Sequence, residues 1–142
     1  MLVSSQSPSS VNRLIVPVIK LLKQDSRLSN KEIGAQVHLT GQAVGQRINH
    51  LIDQQTITRF TIEIAQQQRQ FIRLFMNNNH FSDVEAAVNQ YPEVDSFYQV
   101  SGQACYVVIA HFEQTRLTTF IDHLSNWARY SVEVVLNDKK KS

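Results

Sequence analysis

The chain has 142 residues, 14 basic against 12 acidic side chains and a net charge of +2, so it is one average domain or two small ones. Charged residues make up only 18%, below the roughly 25% of ordinary globular domains, and 15 Gln and 9 Asn stand in their place. So small a net charge excludes a protein that coats nucleic acid by bulk electrostatics, though not a local basic patch. No apolar run approaches the roughly 20 residues that span a bilayer, and MLVSSQSPSS lacks the basic start and long apolar stretch of a signal peptide. A single cysteine, Cys105, excludes an intrachain disulfide and a cysteine-rich zinc site. The expectation is a soluble, cytoplasmic protein.

Residues 1–10 read as a disordered Ser-rich tail. In 11–64 the apolar spacing is helical and the charge is +3. Val11, Leu14, Val18, Leu21 and Leu22 form the stripe of a first helix, with Lys20 and Lys23 opposite. Pro17 either lies in its first turn or kinks it. Ser29-Asn30-Lys31-Glu32 is a capping box that opens a short helix burying Ile33 and Val37. His38 and Leu39 make a tight connection, and Thr40 caps a third helix with Val44, Ile48, Leu51 and Ile52 on one side. From Ile57 to Ile64 the period changes to two, which predicts a strand.

Residues 65–70, AQQQRQ, have nothing to bury and read as a linker. Residues 71–138 then read strand, helix, strand, strand, helix, strand, with a charge of −1 over 65–142. The strands are Phe71 to Met76, Val94 to Val100, Cys105 to Phe112 and Ser131 to Leu136. A second capping box, Ser82-Asp83-Val84-Glu85, starts one helix, and Leu117, Phe120, Ile121, Leu124 and Trp127 form the stripe of the other. That order, βαββαβ, is ferredoxin-like and leaves one sheet face wet or in need of a partner. The fold class is therefore α+β: an N-terminal helix-turn-helix, winged-helix-like, and a C-terminal ferredoxin-like domain. Residues 139–142, KKKS, are a basic tail, solvated in the first instance and able to add phosphate attraction in an oligomer.

Two helices joined by a few residues, the second well capped, is the outline of a DNA reader. On a wheel the third helix presents Gln42, Gln46, Asn49 and Asp53 opposite its apolar face, with His50 beside them. Amides can pair bidentately with adenine in the major groove. Gly41 and Gly45 strip side chains from the flank and would let the backbone approach a phosphate. Arg47 sits nearer the core edge, its stem placed to pack while its head reaches out. The bland alternative is a solvated polar face with two ordinary glycines.

The run LLKQDSRLSNKEIGAQVHLTGQAVGQRINHLIDQQTITRF resembles the DNA-binding half of the Lrp/AsnC family. The matching features are Asp25-Ser26-Arg27, the box at Ser29, Leu39-Thr40, Val44, Arg47-Ile48 and Leu51, with Ile57 and Phe60 after them. Pro92-Glu93-Val94, Tyr98 to Gly102 and the Tyr106 strand resemble the family's RAM domain, so the likeness spans about 11–138. It implies a sequence-specific, DNA-binding transcriptional regulator acting on double-stranded DNA as a homodimer or octamer through its RAM sheets. It also implies modulation by a small effector, an amino acid. The residues themselves offer no cofactor or metal motif, no membrane span and no case for enzymatic activity. Base-reading candidates are Gln42, Gln46 and Asn49, while Thr40, Arg47, His50 and Arg59 would hold the DNA backbone. The resemblance puts the effector turn at Gly102 and Cys105, where the family has Asp in the cysteine position. Cysteine cannot make a carboxylate's charge-assisted bond to an ammonium group. The family also has Gly where this chain has Gln55, which predicts a different turn after the third helix.

Three further readings come from the residues themselves. Cys105 as a redox or nucleophilic centre competes with Cys105 as a small buried hydrophobe. The histidines at 38, 50, 80, 111 and 123 lack metal-ligand spacing. The low charge, the two helix glycines and Gln55 motivate an alternative function, an assembly or ligand-sensing protein whose helix-turn-helix no longer binds DNA productively.

Overall fold

The structure, a computed structural model, describes residues 8–65 and 68–140, with side chains from residue 16 onward. It resolves into two compact units, Met1–Glu63 and Ile64–Ser142.

The first unit is built from α1 (Pro8–Gln24), α2 (Asn30–Val37) and α3 (Gly41–Asp53). Helix α1 begins inside the stretch expected as a tail, and residues 1–7 lie outside the described residues, as do 141 and 142 of the basic tail. Pro17 falls inside α1, not in its first turn. Val11 and Leu14 of the expected stripe lie among side chains that are not described, but Val18 is fully buried. The core is Val18, Ile33 and Val44, with Leu21, Leu22, Leu28, Val37, Leu39 and Ile48 packed around it. Leu51 is also buried, whereas Ile52, expected on the same side, is 42% exposed. One position beyond Leu51, it has rotated about 100° away from the core.

The Ser29 capping box forms as the sequence specifies. Glu32 N donates to Ser29 Oγ, and Ser29 N donates to Glu32 Oε1, each at 3.0 Å. The Ser29 N–H first, and then the Ser29 hydroxyl, hold the Glu32 carboxyl below its ordinary pKa. Residues 57–64, expected as a strand, belong to no ladder among the described residues. Their alternation is real; what is missing is a partner for it.

The second unit contains β1 (Gln70–Met76), α4 (Phe81–Val88), β2 (Val94–Gln99), β3 (Tyr106–Ala110), α5 (Gln114–Leu124) and β4 (Ala128–Val134). The sheet order is β2-β3-β1-β4, antiparallel throughout, which is the ferredoxin-like arrangement. Ile72, Leu74, Val108 and Ala110 on one sheet face pack with Val84, Ala87 and Val88 of α4 and Phe120 and Leu124 of α5. On the other face stand the half-buried Phe71, Phe75, Val107 and Ile109. There Arg73 pairs with Glu133, and the Arg129 guanidinium lies 5.5 Å over the Phe75 ring.

Two expectations change here. Gln70 belongs to β1 and is 2% exposed, so the polar linker is one residue shorter than the sequence suggests. Gln66 and Gln67 of that stretch lie outside the described residues. The Ser82 capping box does not form, because α4 starts earlier, at Phe81, with His80 in the cap position and no side-chain cap bond. Glu85, its would-be partner, instead accepts a 2.5 Å hydrogen bond from Tyr106 Oη.

Candidate nucleic-acid interface and effector domain

The tight packing of α2 on α3 begins at a glycine. A Cβ on Gly34 would lie 2.3 Å from the Leu39 carbonyl oxygen, so no larger residue fits without moving the turn. The Leu39 N–H returns to the Gly34 carbonyl at 2.9 Å, and His38 between them takes the left-handed conformation at φ 63°. That short turn delivers Thr40 as N-cap of α3, where its hydroxyl accepts from Ala43 N at 3.1 Å.

Gly41 and Gly45 also face α2. A Cβ on Gly41 would lie 3.4 Å from Lys31 N, and one on Gly45 would lie 3.0 Å from the Asn30 amide. Beside the phosphate approach that the sequence suggests for these glycines, Gly45 has a role in helix packing. Gly45 thus has a packing reason for its small size, whereas a Cβ at Gly41 would make ordinary van der Waals contact.

With Val44 and Leu51 buried, α3 turns Gln42, Gln46, Asn49 and His50 outward, all exposed. Thr40 is exposed at the N-terminal end of the row. Arg47 is half-buried, and its Nε is shut away from solvent without a hydrogen-bond partner. Any pairing with an anion therefore runs through its terminal nitrogens. Arg59 stands apart from this row, exposed on the segment after α3. It lines a groove of about 440 Å³ with Ile19, Leu22 and Lys23 of α1 and with Phe60.

The helix ends at Gln54, and Gln55 takes φ 62°. Glutamine here adopts the left-handed backbone that glycine favours. Thr56 and Ile57 both donate to the Leu51 carbonyl, at 2.9 and 3.1 Å, and close the turn.

In the C-terminal unit, Gly102 lies in the β2–β3 turn at φ 134°, exposed. Cys105 is half-buried and tied by its backbone to Leu74 O at 2.9 Å. Neither lines the neighbouring cleft of about 480 Å³ between α4 and β2, so the structure does not gather the two candidates into a pocket. That cleft is bounded by Glu85, Asp95, Ser96, Phe97, Gln99 and Tyr106. Burial, and then the bond to Glu85, push the Tyr106 phenol up to about 12. This pair is hidden in the sequence, where Glu85 looks fully accounted for as a capping residue.

The helix pair with its exposed amide row and the ferredoxin-like unit with its polar cleft are each matched by a family description. The AsnC-type helix-turn-helix domain covers residues 17–52, and the Lrp/AsnC ligand binding domain covers 69–142. The chain is also 30% identical over 126 residues to the transcriptional regulator LrpA of Bacillus subtilis, covering 84% of this chain and 93% of LrpA. This chain belongs to the Lrp/AsnC family. It is a DNA-binding transcriptional regulator.

Two solved structures of Lrp/AsnC regulators share the fold. The structure of LrpC from Bacillus subtilis aligns over the whole of both chains with a TM-score of 0.80 at 21% identity. A transcriptional regulator of Neisseria meningitidis in complex with L-Met aligns at 0.75 and 21% identity, covering 97% of this chain and 94% of that one. Among the described residues, no helix of this Lrp/AsnC chain is long and apolar enough to cross a membrane.

Proposed function

We propose that this Lrp/AsnC regulator reads its operator through the amides of Gln42, Gln46 and Asn49, with Thr40, Arg47 and His50 holding the DNA backbone. The observation that carries the reading is the exposed row itself. Three amides lie on the face of α3 opposite Val44 and Leu51, on a helix capped by Thr40 and packed closely on α2 at Gly34 and Gly45. Amides carry no charge, so this face gives specificity without bulk attraction, in keeping with a net charge of +2. Affinity then comes from joining two such helices in one oligomer. The outer sheet face, with Phe71, Phe75, Val107 and Ile109, supplies a surface for a homodimer.

The effector is an amino acid, in line with the L-Met complex of the Neisseria meningitidis relative. Its ammonium group is served by the cleft carboxylates of Glu85 and Asp95, which offer the negative charge that Cys105 does not. The roles are those of a regulator that binds and releases; none of these residues performs chemistry on a substrate.

Selection of bound fragments from a random DNA library, repeated with each amino acid, tests the reading. The expected product is a site with two half-sites about 10 base pairs, or a multiple of that, apart. Recovery of unrelated fragments with no shared half-site would remove the amide readout.

A further inference from the structure

Gly45 stands in the interior of α3, where glycine is the poorest helix former after proline. Among the described residues, one neighbour from outside α3 enters the space that its missing side chain leaves. A Cβ there would lie 3.0 Å from Nδ2 and 3.9 Å from Cγ of Asn30, the first residue of α2. One turn earlier, a Cβ on Gly41 would lie 3.4 Å from Lys31 N and 3.6 Å from Asn30 C. The first turn of α2 therefore rests on α3 with its backbone, and the place of the Asn30 side chain follows from that contact.

The local structure of α2 does not use the Asn30 amide. Its N-terminal cap is made by the Ser29 hydroxyl and the Glu32 carboxylate, and Asn30 itself is exposed. Position gives the amide a use. At about 100° per residue, Gly45 stands about 40° from Asn49 and about 60° from Gln42 around α3. An amide resting on Gly45 therefore borders the outward row on the side of α2. Like Gln42 and Asn49 it offers both a donor and an acceptor to a base edge, and it adds no charge.

We infer that Asn30 is a fourth DNA-reading amide, supplied by α2 and seated on α3 by the absence of a side chain at Gly45. It sets the preference at a base pair adjoining the one that Gln42 reads. The inference rests on the amide readout proposed above and extends that readout to a second helix.

The test is selection of bound fragments from a random DNA library by the full chain and by its variants Asn30→Ala, Gln42→Ala and Gly45→Ala. Titrations on the selected site and on random DNA follow, and thermal unfolding checks that each variant folds. Asn30→Ala should lose the preference at one base pair of each half-site, next to the pair lost in Gln42→Ala. Its affinity for the selected site should fall roughly five- to a hundredfold, with random DNA changing less than about twofold. Gly45→Ala sets a methyl group against the Asn30 amide and should blur the same base pair. It should unfold no earlier than the parent, because alanine is the better helix former and the amide it meets can turn away. In the double variant, Gly45→Ala should add nothing to the effect of Asn30→Ala.

Equal losses on selected and random DNA for Asn30→Ala would make Asn30 a phosphate contact and overturn the inference. A Gly45→Ala effect that persists in full without the Asn30 amide overturns the seat at Gly45. Gln42→Ala separates the remaining failures. If it changes the selected site and Asn30→Ala does not, the inference alone falls; if neither changes it, the amide readout falls as well.

Discussion

The Gln70 side chain and the Phe112 peptide exchange two hydrogen bonds, Nε2 to the carbonyl at 2.9 Å and the N–H to Oε1 at 2.8 Å. An amide side chain thus replaces a neighbouring strand's backbone just past the end of β3. Both residues are buried, at 2% exposure each. Gln70→Leu keeps the size but leaves a buried N–H and a buried carbonyl without partners, at about 1–3 kcal/mol apiece. The expected loss is therefore roughly 2–6 kcal/mol, confined to the C-terminal unit. Urea denaturation followed at Trp127, the single tryptophan and a member of that unit's periphery, checks it. An unchanged midpoint would mean that water replaces the amide without cost.

Two substitutions in the N-terminal unit should move stability in opposite directions. Gly34→Ala sets a methyl group against the Leu39 carbonyl, and forced overpacking of this kind costs about 1–3 kcal/mol. Gln55→Gly removes the left-handed penalty of about 1–2 kcal/mol and adds back part of it as chain entropy, for a net gain of roughly 0.5–1 kcal/mol. Thermal unfolding of the two variants beside the parent measures both signs. DNA affinity should fall with Gly34→Ala and hold with Gln55→Gly, since only the first disturbs the α2–α3 turn.

Much of the fold is legible in the sequence because period and order are sequence properties, but two features of identical appearance have different fates. Ser29 and Ser82 each precede a Glu by three residues. At Ser29 the reciprocal bonds form, because the chain enters α2 from an exposed turn with nothing competing for Glu32. At Ser82 the helix has already begun, and Tyr106, distant in sequence, takes Glu85. Gln70 reads as linker for the same reason: its partner is 42 residues away. At the recognition helix the wheel places the outward row, since one buried face fixes the opposite one. It cannot show that Gly41 and Gly45 pack against α2, which depends on the approach of a second helix. The segment 57–64 has a strand's alternation without a ladder among the described residues, because alternation belongs to one segment and a ladder to two.

Tyr106 predicts an alkaline signature. Its phenol is raised to about 12 against 10 in the unfolded chain, so folded and unfolded states bind the same protons below pH 10. Between 10 and 12 the unfolded chain loses the proton first, and the stability that Tyr106 contributes falls as pH rises. Absorbance at about 295 nm should show one of the four tyrosines ionising late, and Tyr106→Phe should delete that component. Glu85→Gln should bring it down part of the way, because burial, the larger cause, remains. Ionisation of all the tyrosines together near pH 10 would contradict the buried Tyr106–Glu85 bond.

Arg47 and Gln46 are neighbours on α3 with different expected readouts. Gln46 is exposed in the amide row, and its replacement by Ala should cost roughly 1–3 kcal/mol on cognate DNA while leaving random DNA almost unaffected. Arg47 is the opposite case, a half-buried stem with its Nε buried and unpaired. Arg47→Met retains the packing of the stem and removes that unpaired donor along with the charge. The folded protein should be as stable as the parent or up to about 1 kcal/mol more so. Binding should nevertheless weaken on cognate and random DNA alike, and the slope of log K against log salt should flatten by about one. Titrations at several salt concentrations separate the two residues. A sequence-dependent loss for Arg47→Met, with the slope unchanged, would move it from the phosphates to the bases.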